Sequence, residues 1–541
     1  MIPLSAIQRA WLASQMPAVA RFELALRFPA RAQTERLSQL LQKNAQTAYG
    51  RQFNFGKIHS PREYQKAVPI VDYDSLAPWI ERAAAGEMGV LTQAPVRMFE
   101  RSGGSTAATK LIPYNADLLA DFSAATNPWL FDLHRRNSRL IGTRSYWSLS
   151  PVAQKKQRTS GGLPIGIEDD TEYFGPVARY ALQRMMAVPS SVAHISDMDA
   201  WRLATLRHLL GAADLGFISI WSPTFLSLLM RALEERLPEL LRLLPITRRD
   251  EINRGIDQKG ALVGEAIWPR LQCISSWMDG IAGEFVGPLR RWFPNTPFQA
   301  KGLLATEGVV SFPYGDERDP VVAVTSHFLE FTDLEHPGKL PLLAHELRKN
   351  GQYSPILSTG GGLYRYHLKD VVECVGYELA TPRIRFMGKL DNVSDTCGEK
   401  INARQVERAL ERAQRTLGIT CDVALLAPVW PKGTNAPIHY CLFVEADTDE
   451  PTLAKLAVLL EDELLQGHAF RYARELGQLG EMHVARVRGG SAAVQETLIR
   501  AGLRAGDIKP THLDTRPIWG ATFGPGLPAR ELAARTSKEI V

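Results

Sequence analysis

The sequence has little cysteine, no long apolar run, no repeat of fixed period and almost no excess charge. Its five cysteines (Cys273, Cys374, Cys397, Cys421 and Cys441) are scattered, odd in number and without a CxxC pair. That excludes a disulfide framework and a zinc ribbon and points to a reducing compartment, so a cytoplasmic protein is expected. No stretch approaches the roughly 18 uninterrupted apolar residues of a membrane span. The N-terminal segment is apolar in places, but Arg9 and Arg21 interrupt it; it reads as an amphipathic helix packed on the body, not as a signal peptide. The 63 basic residues barely exceed the 58 acidic ones, a net charge of +5. With no basic stripe and no cluster of stacking aromatics, nucleic-acid binding is not expected. The missing repeat excludes solenoids and propellers.

What is present is an ordinary globular composition, 45% hydrophobic and 22% charged over 541 residues. That length suggests more than one domain. Residues 1–48 read as helical. Residues 90–114 read as strand, Gly/Ser loop, strand. Residues 197–245 hold helices around the short strand Leu215–Trp221, and residues 260–294 are helical around Leu271–Trp277. From 300 to 388 short strands alternate with Gly and Pro, the pattern of a barrel-like or curved sheet. After Gly388, helices and strands alternate in a compact α+β pattern. A boundary is expected near Lys389–Asn392. The tail beyond Asp514, rich in Pro, Gly and Thr, is expected to run over the surface.

Four segments could carry chemistry. Arg101-Ser-Gly-Gly-Ser-Thr-Ala-Ala-Thr-Lys110 joins two strands. Its small residues and hydroxyls could cradle phosphate oxygens, although it is no Walker A loop. Alone it reads first as a surface turn. Ala305-Thr-Glu-Gly308 offers Glu307, either a solvated strand end or a carboxylate for Mg2+. Thr359-Gly-Gly-Gly-Leu-Tyr-Arg-Tyr-His-Leu-Lys-Asp370 alternates like a strand and places Asp370 at an expected strand end, where it could accept sugar hydroxyls or simply cap a hairpin. Phe386 to Asn402, with Gly388-Lys-Leu-Asp391 and Gly398-Glu-Lys400, lies at the compositional boundary and reads as a hinge or as any linker.

Taken in order, these segments resemble the acyl-adenylate-forming, firefly luciferase-like superfamily, and within it the Gretchen Hagen family of acyl-acid amido synthetases. Further landmarks follow in register: Ala213-Asp-Leu-Gly, Trp221-Ser-Pro-Thr-Phe225, Ile267-Trp-Pro-Arg-Leu271, Phe328-Leu-Glu-Phe331 and Tyr472-Ala-Arg. The resemblance spans roughly residues 30–512. It implies an α/β protein with a large, multi-layered nucleotide- and acyl-binding domain over 1–388, including a barrel-like part. A small mobile α+β domain over 389–541 would follow.

The resemblance implies ATP and Mg2+ as cofactors, a carboxylic acid as substrate and an amine, an amino acid, as acceptor. Ser102, Ser105, Thr106 and Lys110 would line the phosphate loop. Glu307 would face Mg2+, with Thr306 beside the α-phosphate. Asp370 would hold the ribose, with Tyr364 and Arg365 nearby. Asp391 would be the hinge, and Lys400 and Lys509 the cations of the small domain. Leu303 stands where the family stacks an aromatic residue on adenine, so aliphatic contacts are expected there. Met185, Met186, Trp221 and Phe225 are the candidates for the acyl wall. Thr106 and Ala107 replace the family's glycines, and His367 and Lys369 its Arg and Gly, departures that mark a divergent branch, with a bacterial source as the expectation. Two other readings stay open on sequence: transfer of the acyl group to a thiol such as coenzyme A or a carrier protein, and a nucleotide-binding protein that has lost catalysis.

Overall fold

The computed structural model describes residues 2–102, 110–148, 157–166, 183–195, 197–221, 223–279, 286–390, 393–431, 436–500 and 512–535. The chain divides into two compact units between Leu390 and Asp391. In the first, helix Leu4–Arg27 buries Trp11, Val19, Phe22, Ala25 and Leu26. Gln8 fixes it to the body, donating to the Thr143 carbonyl at 2.7 Å and accepting from the Gly142 amide. It is the packed amphipathic helix that its arginines implied. Among the described residues, no helix is long and apolar enough to cross a membrane.

Four strands, Arg144–Trp147, Leu215–Ser219, Cys273–Ser276 and Phe298–Ala300, form an all-parallel sheet. Parallel neighbours need crossover connections, and helices Met198–Gly211 and Pro223–Arg242 lie between these strands in sequence. Both faces are covered, as parallel sheets require. Phe217 and Cys273 face one apolar cluster, and their neighbours Ile218 and Ile274 face another. The strands all point the same way, so Trp147, Ser219, Ser276 and Ala300 end at one edge.

The strand-rich region forms an eight-stranded sheet. Its path runs Ser311–Phe312, Val321–Val322, Thr381–Lys389, Asp370–Glu378, Gln352–Ser358, Phe328–Asp333 and Leu342–Leu343, with Tyr366–His367 added to Gln352–Ser358. All of its pairings are antiparallel. Register shifts at Val371/Val372 and Cys374/Gly376 bend the long central hairpin, since an extra residue on one strand increases local twist. This is the barrel-like part, and among the described residues no pairing joins its two outer strands. A separate hairpin pairs Met98–Ser102 with Lys110–Tyr114, bringing Ser102 opposite Lys110.

The second unit is built on a sheet ordered Val423–Val429, His439–Glu445, His483–Arg486, Leu527–Pro528. Helix Ala403–Leu417 starts in a capping box of Asn402 and Gln405 and stops at Gly418, whose φ of 65° suits glycine. Helix Glu450–Leu464 starts at the Asp449 cap. Helix His468–Glu475 was not evident in the sequence. The tail corrects another expectation. Trp519 is fully buried against Val429 and Phe443, and helix Ala529–Arg535 is tied to Glu450–Leu464 by Arg530 and Glu461. Burying an indole contributes roughly 4 kcal/mol, enough to hold a Pro/Gly-rich segment down.

Candidate active site

Thr306 and Glu307 form a two-residue turn between the paired strands Leu304–Ala305 and Gly308–Val309. Gly308 is required there, because a Cβ would lie 2.6 Å from the His327 ring. That imidazole supports the turn: Nε2 accepts from the Val309 amide at 3.0 Å, so the proton sits on Nδ1, which faces Asp121 at 3.3 Å. From the other side Tyr114, at the end of the hairpin Met98–Ser102/Lys110–Tyr114, donates to the Thr306 carbonyl at 2.7 Å. The Glu307 carboxylate is thus held almost buried on a fixed turn.

Asp370, also almost buried, opens a strand instead of ending one. Ser354 fixes its backbone, donating to the Asp370 carbonyl at 2.7 Å. That uses the hydroxyl proton, so the His367 Nε2 found 2.8 Å from the same hydroxyl is the donor.

Tyr366 lies in the field of both carboxylates. Burial pushes its phenol far above the usual range, and the negative charges of Glu307, Asp72 and Asp370 push it further. It therefore stays a neutral phenol at any physiological pH. Cations border the same cluster. Lys110 lies 5.7 Å from the Tyr73 ring centre, Tyr73 accepts from the Leu111 amide at 2.8 Å, and Lys369 sits 4.0 Å from Asp72. Hard oxygen donors beside lysines suit a divalent cation and a polyphosphate.

The flanking residues have other work. Tyr364 is fully buried, stacked on Tyr49, with its hydroxyl given to the Leu91 carbonyl at 2.7 Å. Arg365 is sealed in an ion pair with the fully buried Glu330, 2.9–3.2 Å away, and donates to the Gln65 and Val68 carbonyls. The glycines before them let the chain pass close to helix Ala116–Arg136. A Cβ on Gly360 would lie 2.8 Å from Asp117, and Asp121 accepts from the Gly360 amide. Leu303, half-buried, has its amide bonded to Ser311 and its carbonyl to Val310.

Of the remaining candidates, Ser105, Thr106, Asp391 and Lys509 lie outside the described residues, as does the Ser102 side chain. Lys400, in the second unit, is half-buried with a left-handed φ of 45°. The loop before it is fixed by Glu399, which accepts from the Thr396 and Cys397 amides and from Tyr440.

The four residues expected to form an acyl wall do not share one surface. Met185 packs in the cluster with Trp129 and Phe217, while Phe225 packs against Trp201 in the cluster on the other face of the sheet. Met186 bridges to Ser145. Only Trp221 is exposed, and its ring lies over a buried residue the sequence did not single out, Lys301.

Comparison with known proteins agrees with this layout. Models of the GH3 family match in order: its N-terminal domain over residues 18–246, its central domain over 320–389 and its C-terminal domain over 404–517. Jasmonoyl–L-amino acid synthetase JAR4 of Nicotiana attenuata is 20% identical over 520 residues, covering 87% of this chain and 89% of its own. Indole-3-acetic acid-amido synthetase GH3.10 of Arabidopsis thaliana is 21% identical over 530 residues, covering 85% and 88%. The solved AtGH3.15 acyl acid amido synthetase in complex with 2,4-DB shares the fold, with a TM-score of 0.65 at 17% identity over 97% of this chain and 96% of that one. With all three of its domains matched in sequence order, the chain belongs to the GH3 family.

Proposed function

We propose that the chain is an ATP-dependent, AMP-forming ligase that joins a carboxylic acid to an amine, the amine being an amino acid. The observation that carries this is the pair of almost buried carboxylates, Glu307 and Asp370, whose charges both act on the buried phenol of Tyr366. A carboxylate is a poor electrophile. Its oxygen attacks the α-phosphorus of ATP, pyrophosphate leaves, and the acyl-AMP anhydride then loses AMP to a neutral amine.

Two anions must meet in the first step, so positioning and charge neutralisation dominate. Asp370 accepts the ribose hydroxyls. Lys110 and the loop before it, with Ser102, Ser105 and Thr106, receive the phosphates, and Thr306 stands beside the α-phosphate. Leu303 offers an aliphatic face to adenine. Glu307, fixed by the His327 and Tyr114 contacts, would hold Mg2+, and the oxygen donors fit that ion; when bound it neutralises phosphate charge. In the second step, Asp391 acts as the hinge, and Lys400 and Lys509 are the cations that the small unit presents. All five cysteines are free, and we place the enzyme in the cytoplasm.

ATP–pyrophosphate exchange over a panel of aryl and alkyl acids, followed by AMP release with amino acids or with coenzyme A, tests the reading. Acid-dependent exchange with amine-dependent AMP release is expected. Exchange with no acid, or AMP release with the thiol alone, overturns it.

A further inference from the structure

At the carboxyl edge of the parallel sheet stands a buried lysine with no acidic partner. Lys301 follows strand Phe298–Ala300 directly, and its amide donates to the Ser276 carbonyl at 3.0 Å, prolonging the sheet. Its side chain is 3% exposed. Nζ donates to Ser219 Oγ at 2.5 Å. Three indoles surround it, with centroids 4.7 Å away for Trp221, 5.5 Å for Trp129 and 5.7 Å for Trp147. Among the described residues no carboxylate pairs with it. Burial alone pulls its ammonium down from 10.5 to about 7.

Such an arrangement is poor packing. An ammonium taken from water without a counter-ion costs free energy, and a methionine would fill the same space at no such cost. It is good recognition, because an oxyanion arriving there restores the protonated state and meets two unused N–H donors. The place is one where ligands bind in open parallel sheets, outside the carboxyl ends of the strands. Its outermost member, Trp221, is exposed and packs its ring 5.7 Å from Trp277. It also adjoins the proposed adenylation turn: Trp147, Leu303 and Leu304 pack on one apolar cluster that includes Trp129 and Met185.

We propose that Lys301, with Ser219 and the indoles of Trp129, Trp147 and Trp221, selects the acyl acid, preferring flat aromatic acids that carry a second oxyanion or strong acceptor remote from the reacting carboxylate. This rests on the ligase reading for its setting. The remote group is the partner, not the reacting one. The reacting carboxylate gives up its charge on forming the anhydride, so pairing it with an ammonium would stabilise the ground state and slow the step. A remote group keeps its charge throughout, and its binding positions the other end. The indole faces take the ring by stacking.

The test compares benzoate with terephthalate, the same ring with and without a second carboxylate, in wild type, Lys301→Met and Ser219→Ala. Two readouts are taken: kcat/KM for pyrophosphate exchange, and Kd by calorimetry with no nucleotide. Wild type should favour terephthalate by about tenfold or more, the worth of one charge-assisted hydrogen bond. Lys301→Met should abolish that preference, bringing the terephthalate-to-benzoate ratio to about one. Ser219→Ala, a one-atom change that keeps the fold if Lys301→Met does not, should shift terephthalate and not benzoate. Exchange with both acids and an equal ratio in wild type and variants overturns the site and leaves the ligase reading standing. A calorimetric preference lost in Lys301→Met, with no exchange for any acid, supports the site and removes the ligase reading. No preference in wild type by either readout also overturns the proposal.

Discussion

The buried pair Arg365–Glu330 allows a sharp test of which motif residues hold the fold and which bind nucleotide. Glu330 is fully buried and Arg365 is 3% exposed. Both carboxylate oxygens are used, by Arg365 and by the Gln65 amide at 3.0 Å, and the guanidinium also donates to two carbonyls of the segment Gln65–Val68. Glu330→Gln leaves the guanidinium buried and uncompensated, at a cost of about 3–5 kcal/mol. At about 2.1 cal/mol/K per residue, a unit of roughly 380 residues unfolds with an entropy near 0.8 kcal/mol/K, so Tm should fall by about 5 °C. Arg365→Met should act similarly, stranding the carboxylate. The double variant Arg365→Met/Glu330→Leu should recover most of the loss, because an apolar pair of similar volume removes both desolvation penalties. Calorimetric scans give Tm, and ATP titration below the transition gives affinity per folded molecule. Unchanged affinity in all three variants is expected. If Arg365→Met leaves Tm within 1 °C of wild type and weakens ATP tenfold, the guanidinium belongs to the nucleotide site and the structural assignment fails.

Asp370→Ala should weaken ATP by one or more orders of magnitude, through loss of charge-assisted bonds of roughly 1.5–3 kcal/mol each, without moving Tm; a folded variant with normal ATP binding would displace the ribose site. Glu307→Gln should collapse pyrophosphate exchange with partial rescue by added Mg2+, and full exchange at low Mg2+ would refute the metal role. Asp391→Pro fixes φ near −65° and should damage pyrophosphate exchange and aminolysis of preformed acyl-AMP to clearly different degrees; equal loss in both would leave the small unit a fixed lid. For Lys301, the unfolded chain keeps its proton up to about pH 10.5 and the folded chain only to about 7. Its destabilising effect is therefore full below pH 7 and fades as pH rises to 10.5, so Lys301→Met should stabilise most at pH 6–7, by about 2–5 kcal/mol, and not at all near pH 10.5; a pH-independent difference in urea unfolding would contradict this.

How much could be read from the residues alone depended on the range of the interactions. The hairpin around Ser102 and Lys110 was legible, because alternating residues flank a run of Gly, Ser and Thr. So was helix Ala403–Leu417, marked by local caps. The tail was misread. Pro and Gly dominate its composition, and the Trp519/Phe523 pair that inserts into the core is only two residues at helical spacing. Before Asp370 the centre of the segment alternates like a strand in sequence, but Arg365 has a φ of 50° and breaks that alternation. That break sends Arg365 to Glu330, while Tyr364 reaches Leu91. Lys301 carried no signal at all. Its partners come from positions 129, 147, 219 and 221, and only the order of parallel strands places them together.

The positive φ angles tie stability to site. Among the described residues, Arg365, Lys369 and Lys400 adopt left-handed backbone, at 50°, 61° and 45°. Each costs about 1–2 kcal/mol relative to glycine. A turn needed only for its path would carry glycine, as Gly362 and Gly398 do nearby. Long cations at these positions imply that the side chains are needed, and for two of them the partners are visible: Glu330 for Arg365 and Asp72 for Lys369. The buried ion pair holds the segment by one strained residue, and the Asp72 contact holds it by the other. Between them sit Tyr366 and, immediately after, Asp370. The strain is therefore carried by Arg365 and Lys369, which flank the segment that presents Tyr366 and Asp370.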